Sequence, residues 1–381
     1  MIHLETFLFP HLNLHAWWRA LGEAIGSDEP ERTYPRLFSE LLRSGSDSLA
    51  AAIAAELLYG ETHVPQQATA PVREALEADL ELFSRLVALE LAPAGSPPLE
   101  GLTGSSDQHV SAWAERLKAG TADAASLLQH WQRHGSGILA RYRAFAWQDG
   151  GLRGIAHFDS AGLDSLLGVE RQLGRLRSAV RAWLEGRPRS DVLLYGPRGS
   201  GKSTAARGLL SEFATAGLRM VEVNPLDLAD LPELLGLLER SRQPFVIFVD
   251  DLGFERGDTS YRQLKTLLDG TLRAAPRNVM LIATTNRRNL IRQGFADRPD
   301  PLDDDVHAWD TQHEQLALVD RFSQVITFPP ADQRRYVELV EGLARAEGKW
   351  REDLARQAVR FADRGNGYSG RTARQFVDTL A

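Results

Sequence analysis

Asp191–Ala205 reads DVLLYGPRGSGKSTA. Val192–Tyr195 is a short apolar run with the character of a buried parallel strand, Gly196–Gly201 cannot hold regular structure, and helix-forming sequence begins at Lys202. Strand, glycine loop and helix therefore follow in that order. Glycines at 196 and 201, followed by Lys202 and Ser203, let backbone N–H groups turn inward on phosphate oxygens, and the helix dipole adds its positive end. Gly196, Pro197, Arg198, Gly199, Ser200, Gly201, Lys202, Ser203 and Thr204 are expected to enclose the phosphates of a nucleotide. Lys202 would reach the β- and γ-phosphates, and the Ser203 hydroxyl would be an oxygen ligand of Mg2+. Only Lys118, Lys202, Lys265 and Lys349 are lysines among the 44 basic residues. A chain that otherwise uses arginine has a lysine where a compact ammonium fits the chemistry.

Downstream, strand and helix signals alternate. Leu218–Val223, Phe245–Val249, Val279–Ala283 and Val325–Phe328 read as strands, and Pro232–Arg240, Tyr261–Leu268 and Thr311–Phe322 as helices. Buried apolar strands in such alternation imply an α/β fold, a parallel sheet between helical layers with ligands at the carboxyl ends of the strands. The expected core spans 159–330. From Ala331 the chain turns helical, which predicts a small lid over 331–381, broken by a Gly365–Gly370 loop.

Five further positions carry chemistry in this frame. PFVIFVDD is an apolar strand ending in two acids: Asp250 would hold Mg2+ opposite Ser203, and Asp251 would orient or deprotonate the attacking water. Asn286 ends the strand VMLIATTN, where an amide can hydrogen-bond the γ-phosphate or the water. Arg321 precedes the last strand and is a candidate for stabilising transferred charge. Arg371, preferred over Arg374, opens the last helix after a glycine loop and could couple the lid to hydrolysis. Ahead of the loop, Leu166, Leu167, Gly168 and Val169 make an apolar segment suited to covering an adenine ring.

Taken together, these residues resemble the AAA+ ATPase superfamily over Asp159 to the C-terminus. GPRGSGKST is similar to its Walker A motif, VIFVDD to its Walker B, Asn286 to sensor 1, Arg321 to the arginine finger and Arg371 to sensor 2. More narrowly, RAFAWQDGGLRGIAH, LLGVERQL, DDLGFE, ATTNRR, DRF and SGRTARQFVD resemble a bacterial family of AAA-type ATP-binding proteins known as a domain of unknown function. The resemblance implies a three-layer P-loop NTPase fold, ATP or ADP with Mg2+ as cofactors, and a homo-oligomer whose Arg321 serves a neighbour's site. Two departures stand out. Asp251 occupies a position where most AAA+ enzymes have Glu, with Glu255 as a substitute candidate, and Asn224–Asp230 lacks the aromatic residue with which ring translocases grip polypeptide.

Residues 1–140 predict a mainly helical domain, with segments at Leu12–Ile25, Tyr34–Arg43, Ser48–Tyr59, Pro71–Leu91, Val110–Lys118 and Ala122–His134. Trp17, Trp18, Trp113 and Trp131 fall at helical spacing and read as core. His130 and His134, one turn apart, would suit a metal, but the sequence offers no third ligand beside them. Residues 141–158 predict a β-hairpin, turning at Asp149-Gly150-Gly151, as a hinge between domains. Lys plus Arg against Asp plus Glu is 12 to 19 over residues 1–157 and 32 to 32 thereafter. The acidic excess argues against a phosphate-backbone binder, so the N-terminal domain is expected to recognise a partner, with protein favoured over nucleic acid. The chain has no cysteine, which excludes disulfides and thiolate sites. Neither a leader nor a membrane span is evident, so a cytoplasmic protein is expected.

The leading expectation is a Mg2+-dependent ATPase that remodels or loads an unknown partner. Its rivals are a low-turnover, nucleotide-gated switch and a DNA-associated loader, the latter resting on Arg171, Arg175, Arg177, Arg181, Arg187 and Arg189. The acidic stretch 297–314 reads as a solvated loop.

Overall fold

Helical periodicity in the N-terminal part resolves into α1 (Ala16–Gly26), α2 (Pro30–Arg43), α3 (Leu49–Tyr59), α4 (Ala70–Val87), α5 (Gln108–Lys118), α6 (Ala124–His134) and α7 (Ile138–Arg141). The computed structural model describes residues 6, 8–60, 68–93, 96–99, 107–158, 162–163, 166–253, 264, 268, 276–286, 319–365 and 367–380. Within it the chain forms two compact units, Met1–Tyr142 and Arg143–Ala381. Three N-caps set helix starts in the first unit: Ser48, Asp107 and Asp123 each accept a bond from a backbone N–H of the first turn. α4 stops at Val87 rather than Leu91, because Leu89 and Leu91 pack on the core from non-helical backbone. Trp17, Trp18, Trp113 and Trp131 are all buried in one core with Leu21, Ile53, Leu80 and Phe83. They hold the helices together rather than serve as surface anchors. The Trp131 indole also donates to Leu57 O at 2.9 Å.

The second unit contains one sheet made of β1 (Ala144–Gln148), β2 (Gly151–Ile155), β3 (Val192–Tyr195), β4 (Arg219–Glu222), β5 (Phe245–Val249), β6 (Val279–Thr285) and β7 (Gln324–Thr327). Its order is β2-β1-β4-β5-β6-β3-β7, and every pairing except β1 with β2 is parallel. The crossovers place β3 between β6 and β7, so the loop after β3 emerges beside the ends of both. α8 (Glu170–Leu184) and α9 (Lys202–Glu212) bury Leu176, Val180, Ala205 and Leu209 against Val192, Leu194, Phe248 and Ile282. Alternate strand residues, such as Leu193, Ile247 and Leu281, point to the opposite face and are equally buried. That two-sided burial is why these strands read as unbroken apolar runs.

Within 141–158 the hairpin forms with its turn at Asp149-Gly150, and it joins the sheet. β1 runs parallel to β4 and extends the sheet, and the Trp147 indole donates to Asp230 Oδ2 at 3.3 Å. An antiparallel pair alone is marginal, and attachment to a buried edge satisfies its outer backbone groups. After β4 come a 3-10 turn, Pro225–Asp230, and α10 (Leu231–Glu239). α11 (Gln333–Ala346), α12 (Leu354–Arg364) and α13 (Gly370–Asp378) then form a helical cluster with its own core of Tyr336, Val340, Leu354, Ala358 and Phe376. The helices read at Tyr261–Leu268 and Thr311–Phe322 fall almost wholly outside the described residues, as do Glu255 and the acidic stretch 297–314. Among the described residues, no helix is long and apolar enough to cross a membrane.

Candidate nucleotide site

The loop Gly196–Gly201 leaves β3 at its carboxyl end. Gly196 tolerates no side chain, because a Cβ there would overlap the carbonyl oxygen of Phe328. Lys202, only 7% exposed, starts α9, and its ammonium donates to the carbonyls of Gly196 at 2.8 Å and Pro197 at 2.9 Å. Burial lowers the Lys202 pKa, against the opposing pull of Asp250 and Asp251. Phosphate oxygens at the loop would supply the negative charge that restores it. Ser200 Oγ is enclosed in the same loop with no hydrogen-bond partner among the described residues, an orphan polar atom suited to a phosphate oxygen. Pro197 and Arg198 are exposed, and Gly199, Gly201, Ser203 and Thr204 are half-buried.

Asp250 follows β5 and meets Ser203 across the adjoining strand end. Ser203 Oγ donates to Asp250 Oδ1 at 2.7 Å. Adjacent ligands on an octahedral Mg2+ stand about 2.9 Å apart, so this pair of oxygens fits the metal. Thr284 Oγ1, buried at the end of β6, donates to the same Oδ1 at 2.6 Å. Its oxygen accepts the Asp251 N–H at 2.9 Å, and its carbonyl accepts the Leu252 N–H at 2.7 Å. Arg207 approaches Asp250 Oδ2 at 3.5 Å and Glu222 at 3.2 Å. Thr284 and Arg207 belong to the candidate site by these contacts, and motif reading assigned them no role. Arg207 lies one helical turn after Ser203 on α9, a spacing that could have exposed it.

Asp251 adopts φ +52°, in the left-handed region that Asp and Asn enter more readily than longer side chains. Its carboxylate is exposed and lies 3.7 Å from Arg198. Asn286 is half-buried one residue beyond β6; Tyr195 pairs with Thr285, and the Gly196 N–H donates to Thr285 O at 3.2 Å, so Asn286 sits beside the loop's start. Arg321 stands elsewhere. β7 begins with Gln324 opposite Val192, at the far end of β3 from the phosphate loop, and Arg321 precedes it. The structure therefore does not bring Arg321 to the loop of its own chain.

The helical cluster touches the loop directly. The Gly370 N–H donates to Gly199 O at 3.0 Å. Gly199 has φ +73°, and a Cβ there would crowd Ser369, the N-cap of α13, and Arg371. Arg371 is exposed at this contact, whereas Arg374 pairs with Asp378 and Glu347 inside the cluster. Leu166 lies against Gly201, Leu167 against Gly342 of α11, and Gly168 against the Arg335 guanidinium. Val169 is buried in the sheet's core. The apolar segment expected over adenine thus bridges the phosphate loop and the lid.

Residues 140–381 match the family described as "Protein of unknown function (DUF815)". The chain belongs to that family. The matched span takes in the whole second unit, while the first unit lies almost entirely outside it. The matched span has an AAA+ P-loop fold, with the parallel order β4-β5-β6-β3-β7, the loop after β3, which lies between β6 and β7, and a C-terminal helical lid. Among curated proteins, the chain is 30% identical over 163 residues to the 26S proteasome regulatory subunit 6A of Encephalitozoon cuniculi, covering 34% of this chain and 40% of that protein. It is 29% identical over 229 residues to the proteasome-activating nucleotidase of Thermococcus kodakarensis, covering 52% of this chain and 55% of that protein. The chain thus spans about half or less of the length of these relatives. A solved structure of the Thermotoga maritima RuvB Holliday junction branch migration motor aligns at TM-score 0.38 and 20% identity, over 57% of this chain and 63% of that one.

Proposed function

We propose that the chain is a Mg2+-dependent ATPase whose lid reports the nucleotide state to an unknown partner, which it remodels or loads. The observation that carries this reading is the oxygen cluster over the loop: Ser203 and Thr284 converge on one oxygen of Asp250, beside the buried Lys202. Ser203 and Asp250 would hold the metal, which would supply charge neutralisation at the β- and γ-phosphates. Lys202 would turn from the loop carbonyls to the phosphates, Asp251 would orient water, and Asn286 would read the γ-phosphate. Arg371 would sense the phosphates from the lid, because its helix is pinned to Gly199. The distance of Arg321 from its own loop favours a homo-oligomer in which a neighbour supplies that arginine.

The acidic first unit would recognise the partner. Likeness to proteins named for the proteasome favours a polypeptide over nucleic acid. Of the basic stretch, Arg177, Arg187 and Arg189 are paired with Glu212, Glu185 and Asp191, which leaves less charge for DNA. The switch reading draws support from Asp251, whose short side chain, left-handed backbone and loose pairing with Arg198 favour slow water activation.

Phosphate release per chain, measured over a wide range of protein concentration at saturating Mg-ATP, tests the proposal. Turnover that rises and then saturates is expected. Bound nucleotide with no turnover at any concentration would favour the switch. Nucleotide affinity unchanged by Lys202→Ala would overturn both.

A further inference from the structure

The first unit gathers three imidazoles that the nucleotide site does not use. His130 and His134 lie one turn apart on α6, and the fold brings His109, the second residue of α5, against them. Ring centroids are 5.4 Å apart for His109 and His130, 5.0 Å for His109 and His134, and 4.6 Å for His130 and His134. One ligand nitrogen from each lies within 4.8 Å of the other two. We propose that His109, His130 and His134 form a site for a divalent transition-metal ion of the zinc class, clamping the start of α5 to the end of α6.

Donor chemistry selects that class. Neutral imidazole suits Zn2+, Co2+, Ni2+ and Cu2+, whereas Mg2+ and Ca2+ require oxygen cages. Nitrogens around a tetrahedral ion at 2.0–2.1 Å stand about 3.4 Å apart. Closing the cluster from its present spacing takes side-chain rotations of about an ångström and leaves a fourth position for water.

The surroundings argue against three histidines that merely pack together. His130 Nε2 is enclosed and has no hydrogen-bond partner among the described residues, which costs free energy unless something ligates it. Asp107 supplies counter-charge near both His109 and His130. Its carboxylate accepts hydrogen bonds from the Tyr59 hydroxyl at 2.6 Å and from the His109 and Val110 N–H groups at 2.9 and 3.1 Å. That network also fixes the first turn of α5, which carries His109, as outer partners commonly orient metal ligands.

Cobalt titration of the full chain, stripped with EDTA and free of nucleotide, tests the site. We expect one Co2+ per chain with visible d–d bands of low coordination number, displaced by one equivalent of Zn2+. His109→Gln, at an exposed position, should lower Co2+ affinity at least about 100-fold while leaving the metal-free far-UV CD spectrum unchanged. His134→Gln should do the same, and Asp250→Asn should leave the bands intact. Absence of stoichiometric binding would overturn the proposal, as would full affinity in His109→Gln or loss of the bands in Asp250→Asn.

Discussion

Thr284→Val isolates the residue that joins both acids of the nucleotide site. Valine keeps the shape, so the change removes one hydroxyl and opens no cavity. That hydroxyl, on a side chain only 1% exposed, donates to Asp250 at 2.6 Å and accepts the Asp251 N–H at 2.9 Å. A bond to a charged carboxylate contributes about 1.5–3 kcal/mol, and a buried N–H left alone costs about 1–3 kcal/mol. Asp250 is 31% exposed and retains Ser203, so water recovers part of the first contribution. The Asp251 N–H regains a partner only if its left-handed turn relaxes. The net loss is therefore about 2–4 kcal/mol, a fall of roughly 5–15 °C in the melting midpoint for a unit of this size. Displacing the two carboxylates by about 1 Å should lower ATP turnover about 100-fold. Thr284→Ser keeps the hydroxyl and should retain most of both properties. Thermal melts and phosphate release on the two variants decide the matter: a valine chain that melts and turns over like the parent, or a serine chain as damaged as the valine one, would refute the reasoning.

Gly199→Ala places a methyl against Ser369 at a left-handed position, and should separate the lid from the loop, read as faster amide exchange at Gly370 and about tenfold weaker ATP binding. Arg371→Ala should reduce turnover with little change in melting, whereas Arg374→Ala, which breaks pairs to Glu347 and Asp378, should affect lid stability and leave the chemistry near normal. Burial raises the Asp191 carboxyl above its ordinary 3.8, against the pull of Arg189 and the Leu281 N–H. The folded state then holds this proton more tightly than the unfolded one, so the contribution is fully present below pH 3.8 and disappears as pH rises through the raised value. Urea denaturation from pH 4 to 7 should show Asp191→Asn gaining on the parent as pH rises; a gap that stays constant would contradict the shift.

Local spacing by itself determined the phosphate loop, the alternation of strands with helices and the acids that end β5. Each is a pattern written within a dozen consecutive residues, where glycine conformation and side-chain periodicity act directly. The chain also showed that 1–140 is helical, because an apolar stripe every third or fourth residue has few other uses. Tertiary structure alone decided the rest. Thr284 is an unremarked strand-end hydroxyl until β6 lies beside β5, and the hairpin's place in the sheet emerges only when β4 offers it an edge. Gly370 reaches Gly199 only through the packing of three lid helices, and only the register of β7 on β3 shows that Arg321 lies away from the loop of its own chain. His109 is the clearest case. Its partners on α6 are readable from their spacing, but the third imidazole arrives from another helix, and contacts between helices are set by the burial of whole faces, which no short window of sequence contains.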